Sequence, residues 1–184
     1  MCERQNAFQK IETLLNTKQL ASLGPEPCAS RESLKSLEKK LDAIFSETKV
    51  SPSTQPLIRS LVLLWHDYLD ESHFISQNIH SADGSFLHGI MHRREPDYAN
   101  AKYWFSRVGE HRCYPIIAKK VDKFLSNENA RELKAKLIPD ANWDAFAFVD
   151  ACEGALCRND KQTISILKQI QEIEFKTLLE HFLQ

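Results

Sequence analysis

Apolar residues return every three or four positions along most of the chain, the spacing of one face of an α-helix. Phe8, Ile11 and Leu15 make the first such stripe. The two prolines of "LGPEPCAS" then end it, since neither can continue a helix. Ser30 is placed to cap a second helix, whose Leu34, Leu37, Leu41, Ile44 and Phe45 share a face. "SPSTQP" is the next break. Pro56 suits a first turn, and one long helix is expected from there to about Gln77. "HSADG" closes it. A short helix follows over Gly84 to Glu95, stopped by Pro96 because the residue before a proline avoids helical geometry. Asp97 can cap the next, which runs to Val108 and ends at Gly109.

Further helices are expected near 114–126, 128–138 and 142–156. The last runs from Asp160 towards Phe182, with Ile166, Leu167, Ile170, Ile173, Leu178 and Phe182 as its stripe. Only five glycines and scarce Val and Thr leave little material for a sheet. The chain therefore reads as all-α, a single-domain bundle of about seven to nine helices over 1–184. N-terminal helices fill 1–50, a histidine-rich region spans 56–112, and C-terminal helices occupy 113–184.

Composition narrows the partners. Of the 184 residues 42% are hydrophobic and 27% charged, the balance of a chain that folds rather than stays disordered. A net charge of −1 gives no general attraction for a polyanion, which argues against nucleic acid and against an acidic membrane surface. The apolar run Leu61 to Trp65 is far too short to span a bilayer, and the polar start of the chain lacks the apolar core of a signal peptide. Five cysteines at irregular spacing read as reduced thiols, and a cytoplasmic location is the expectation.

The chemistry concentrates in one quarter of the chain. Six of the seven histidines fall between residues 66 and 111. Positions i, i+4 and i+7 share a helix face, which selects His66, Asp70 and His73 in the expected long helix. The same rule selects His88, His92 and Glu95 in the next one. Each column offers two imidazoles and a carboxylate, donors that suit zinc, manganese or iron. Facing one another across a helical hairpin, the two columns would bring four to six ligands together. The His-x-x-x-His pair lacks the glutamate of the zinc-protease motif, since Gly89 stands in that place. The competing reading of the first column is the solvated face of an amphipathic helix.

"WDAFAFVDACEGAL", 143 to 156, carries apolar residues in nearly every direction around a helix and is expected to be buried. Asp150 and Glu153 would then be a buried acid pair in need of partners, either Arg93, Arg94 and Arg107 or a metal ion. In either case Asp150 should point at the histidine-rich half. Arg93, Arg94 and Arg107, close in sequence to Tyr103 and Trp104, are also candidates for holding a small anionic ligand against aromatic walls. Glu95 and Asp97 interrupt this basic run, which speaks against a nucleic-acid surface. Cys113, near His111 and Arg112, is the one candidate for an activated thiol, with a structural role favoured.

Several familiar patterns are incomplete. No histidine precedes His66, so the first ligand of an HD-type phosphohydrolase is missing. Asp70-x-x-His73 has no second copy in the order that ferritin-like di-iron bundles use. There is no glycine-rich phosphate loop.

The stretch "HGIMHRREPDYANAKYWFSRVGEH" resembles a segment of helical proteins from bacteria and fungi to which no activity is attached. It covers about 25 residues. The resemblance implies that His88, His92, Arg93, Arg94, Glu95, Asp97, Asn100, Tyr103 and Trp104 form a hallmark of that family, without giving any of them a role. The residues thus support three expectations. One is a metal-dependent, hydrolase-like enzyme with the ion at His88, His92 and Glu95 and with His66, Asp70 or His73 completing the shell. Another is a non-catalytic module for a small anion. The third is a structural or interaction protein whose polar network is a folding device. Oligomeric state is left open.

Overall fold

A computed structural model describes residues 2–27, 31–128 and 130–184. Ten α-helices and no strand are found among them: α1 (Cys2–Leu15), α2 (Leu34–Thr48), α3 (Gln55–Trp65), α4 (Leu69–Ser76), α5 (Ala82–Arg94), α6 (Tyr98–Val108), α7 (Cys113–Asn127), α8 (Arg131–Leu137), α9 (Ala145–Cys157) and α10 (Lys161–Phe182). The all-α expectation holds, with a helix count slightly above the seven to nine read from the sequence. No helix among the described residues is long and apolar enough to cross a membrane.

Local capping explains most boundaries. Ser30 lies outside the described residues, and α2 starts instead after Ser33, whose side chain accepts from the Ser36 backbone N–H at 3.4 Å. Ser81 does the same for α5 through the Gly84 N–H, and Asp97 for α6 through the Asn100 N–H. Asp144 accepts from two backbone N–H groups at the head of α9, and Asp160 from Thr163 at the head of α10. Each of these side chains satisfies donors that a helix start leaves open.

The single long helix expected from Pro56 to Gln77 is two. The chain breaks at His66–Tyr68, where Asp67 adopts the left-handed conformation (φ 63°). Aspartate tolerates that region better than most residues. The break folds α4 back against α3, where the Ser60 and Ser72 hydroxyls meet at 2.7 Å in the interior.

The centre of the molecule is α5. Every residue from Gly84 to Arg94 is buried, and the helix packs against α3, α4 and α6. Two glycines permit this. A Cβ on Gly84 would lie 2.1 Å from the Ile79 carbonyl oxygen, and one on Gly89 would lie 3.0–3.1 Å from three atoms of the Phe105 ring. Around α5 the apolar side chains of α1, α2, α3, α6, α7, α9 and α10 form a continuous core. Contrary to expectation, α9 is not buried on every side: Phe146 is 41% exposed and Asp150 lies at the surface.

Candidate metal centre

Burying α5 takes its polar residues out of water, so each needs a partner. Arg93 donates from Nη2 to Glu174 Oε2 (2.6 Å) and Gln171 Oε1 (3.2 Å), and from Nη1 to Glu174 Oε1 (3.2 Å). Its guanidinium carbon lies 4.3 Å from the centre of the Phe148 ring. Arg94 reaches the opposite way, to the Asp67 carboxylate and the Leu64 carbonyl at the end of α3. Both arginines are fully buried, so neither is positioned to hold an external anion as expected. The carboxylates that meet them are Glu174 and Asp67, not Asp150 and Glu153. Asp150 pairs with Lys102 at the surface between α6 and α9, and Glu153 is half-buried, so the expected buried acid pair does not exist.

The two histidine columns are also rearranged. His66 caps α3 and turns away, its Nε2 hydrogen-bonded to the Leu14 carbonyl oxygen at 2.8 Å. Burial pushes its pKa down, and with a carbonyl as sole acceptor that nitrogen carries the proton. Asp70 is exposed on α4. His73 follows α4 back onto α5 and meets His88 and His92. The three rings offer ligand nitrogens that all lie within 4.8 Å of one another. His88 and His92 stack with centroids 4.8 Å apart, as i, i+4 neighbours do. His73 stands nearly edge-on to both, at 4.7 and 5.4 Å. Trp104 of α6 lies flat against the other side of the group, 3.9 Å from the His88 ring and within 15° of parallel.

Protonation states follow from the partners. Glu95 sits outside the converging donors, 3.1 Å from His92 Nδ1. A carboxylate only accepts and an amide nitrogen only donates. His92 therefore donates from Nδ1 to Glu95 and accepts at Nε2 from the Asn100 amide (3.0 Å). Burial lowers the His92 pKa against the pull of Glu95, with His73 adding to the fall. His88 is pushed down to about 3 by burial first and then by His92 and His73. Both rings are neutral at pH 7, with lone pairs available to a cation. The His88 Nδ1 is buried and has no hydrogen-bond partner among the described residues. A fully buried ring nitrogen without a partner is the sort of group that a bound ion or water satisfies.

A second group, His111, Cys113 and His181, could also hold an ion by spacing alone. Its chemistry is less suited. His111 Nδ1 accepts from the Cys113 backbone N–H at 3.2 Å, so the proton of the neutral ring is on Nε2, which donates to Asp83 Oδ1 at 2.9 Å. His181 Nε2 meets the same oxygen at 3.0 Å. Burial raises the Cys113 thiol to about 12, and it points at the Thr177 carbonyl oxygen. With both His111 nitrogens and His181 Nε2 engaged and the thiol protonated, this group ties the start of α5 to the end of α10. Cys113 is buried and structural, not an activated nucleophile.

An open cleft of about 630 Å³ lies between the turn that precedes α5 and the outer face of α6, and none of the three imidazoles lines it. Ser85, one turn before His88, and Trp104 form its inner wall. Tyr103, 53% exposed, and Arg107 form the rim. Of the candidate ligand-binding residues, the structure brings Tyr103, Trp104 and Arg107 together here. Two features were missed at the sequence level. Glu174 interrupts the apolar stripe of α10 between Ile170 and Leu178, a readable sign of a buried charge. The Asp83, His111 and His181 contact joins residues nearly 100 positions apart and left no local pattern. Set against protein-family models, curated proteins and solved structures, the chain matches none.

Proposed function

We propose that this protein is a metal-dependent enzyme of hydrolytic type, with its ion held by His73, His88 and His92. The observation that carries the reading is that three imidazoles bring ligand nitrogens within 4.8 Å of one another, while the buried Nδ1 of one of them, His88, has no hydrogen-bond partner among the described residues. Three protein nitrogens with an open fourth position for water is the arrangement of catalytic zinc sites. No carboxylate stands among the converging donors, which favours zinc over manganese or iron, whose sites commonly include carboxylate oxygens. His92 already has the orienting partner such ligands use, an Nδ1–H directed at a carboxylate. Loading the centre through His92 Nε2 exchanges the Asn100 hydrogen bond for a coordinate bond. The ion would lower the pKa of its bound water towards neutrality and so provide a hydroxide nucleophile.

Metal analysis of tag-free protein tests this. About one zinc per chain is expected, lost in His88→Ala and retained in His111→Ala. Protein with no bound metal, and no rise in melting temperature with zinc, manganese or iron, would overturn the reading. A structural role for the polar residues is the second reading. It is favoured by the complete burial of the Arg93–Glu174 and Arg94–Asp67 pairs, which fix helix positions whether or not a metal binds.

A further inference from the structure

The cleft between the turn before α5 and the outer face of α6 has no Asp or Glu in its lining, in a protein with 25 acidic residues. Its polar groups are the Arg107 guanidinium, the His80 imidazole, the Gln77 carboxamide and the hydroxyls of Ser81, Ser85 and Tyr103. Most other cations near this surface are already committed. Arg93 and Arg94 are buried in internal ion pairs, and Lys102 is paired with Asp150. Arg107 makes no ion pair with a carboxylate among the described residues. Its guanidinium carbon lies 5.7 Å from the Trp104 ring centre and 5.8 Å from that of Tyr103, and Nη1 donates to the Tyr103 hydroxyl at 3.4 Å. The aromatic rings hold the fork in place, and its remaining N–H donors are left for an acceptor from outside.

Size and position agree with that chemistry. A volume of about 630 Å³ falls in the range of small-molecule sites. Trp104 is the shared wall: it lines the cleft and stacks directly on His88. A ligand seated against Trp104 and Ser85 therefore lies one side chain away from His88, which does not itself line the cleft.

We propose that this cleft recognises the substrate, and that the substrate is a small molecule carrying a phosphate or carboxylate group. Arg107 takes the anionic group in bidentate fashion, and Tyr103 and Trp104 cover the apolar part. A role for this molecule as substrate of the imidazole centre, from which Trp104 separates it, is the further step. That last point rests on the metal-centre reading; binding of the anion does not.

Inorganic phosphate is the probe, titrated into chelator-treated protein and, separately, into zinc-loaded protein, and followed by the indole N–H resonances of the three tryptophans. A saturable shift of the Trp104 signal is expected in both preparations, with Trp65 and Trp143 unmoved. Arg107→Gln should weaken binding roughly tenfold or more, since a hydrogen-bonded charge is lost, while Arg112→Gln leaves it unchanged. Succinate in place of phosphate separates a carboxylate preference from a phosphoryl one. No saturable shift, or equal binding to Arg107→Gln, overturns the proposal. Phosphate that binds only the zinc-loaded protein, indifferent to Arg107, also overturns it and leaves the metal centre standing. Arg107-dependent binding in a protein that takes up no metal supports the cleft and sinks the metal centre.

Discussion

His88 gives the sharpest quantitative test, because its environment fixes both the sign and the size of a pH effect. In the unfolded chain its imidazole protonates near 6.5; in the folded protein the pKa is about 3, held down by burial and by His92 and His73. Between those values the unfolded chain binds the extra proton and the folded chain does not, so acid favours unfolding. Stability from this residue is complete above about pH 6.5 and falls as pH drops toward 3. From pH 7 to pH 5 the loss is about 2 kcal/mol, since each pH unit inside the window is worth about 1.4 kcal/mol. His66 and His92, also shifted down, add in the same direction. A His88→Asn variant removes only the His88 part. Urea unfolding of chelator-treated protein at pH 5, 6 and 7 should show the wild type losing about 2 kcal/mol more than the variant across that range. Where the variant is too unstable to measure, imidazole nitrogen shifts of the wild type read the same quantity directly. Equal pH slopes in the two proteins, or an His88 ring that titrates near 6.5, would refute the argument. If the proposed zinc binds, it competes with the same protons, and the loaded protein should resist acid better than the stripped one.

Two further perturbations test the scaffold. Glu174→Ala leaves the Arg93 guanidinium buried without its carboxylate and should cost roughly 3–5 kcal/mol in urea unfolding, whereas Arg93→Met with Glu174→Met should recover most of that loss; an equally damaged double variant would mean that the pair is not the source of the cost. Gly89→Ala places a methyl 3.0–3.1 Å from the Phe105 ring and should cost about 1–3 kcal/mol through displacement of α6; Phe105→Leu in the same chain should return part of it, and a neutral Gly89→Ala would show that the α5–α6 contact yields easily.

How far the sequence is legible depends on whether a feature has a local cause. Helix class, the caps at Asp97 and Asp160 and the end of α5 before Pro96 follow from residues a few positions apart, and they stand close to where the pattern puts them. The break at Asp67 has no proline or glycine to announce it, and the apolar period of Leu61, Leu64 and Tyr68 runs straight across it. That single break decides the site. A continuous helix would keep His66, Asp70 and His73 on one face; the folded chain sends His66 to Leu14, leaves Asp70 in solvent and carries His73 onto α5. Burial was misjudged for a related reason. The apolar α9 segment reads as buried all round, and Arg93 and Arg94 read as partners for its acids or for an external anion, because charged residues are almost never fully buried unless paired. The partners that bury Arg93 and Arg94 lie 81 and 27 positions away, beyond the reach of any periodicity.

The position of those two arginines bears on why α5 is polar at all. A buried ion pair is a weak source of stability, and well-packed apolar residues of similar size would serve the fold as well or better. What the pairs supply is direction. Arg93 and Arg94 are adjacent, and their forks grip opposite neighbours, α10 through Glu174 and the end of α3 through Asp67. Together they fix both the depth and the rotation of α5. His92 is the residue just before Arg93 and His88 lies one turn earlier, so a rotation of α5 by a few tens of degrees would carry both rings away from His73 and Trp104. The grip on Asp67 also holds the break that turns α4, and hence His73, toward the centre. The same internal contacts that keep Arg93 and Arg94 from binding a ligand thus hold the three imidazoles within reach of one another, the rigid support that the proposed centre would need.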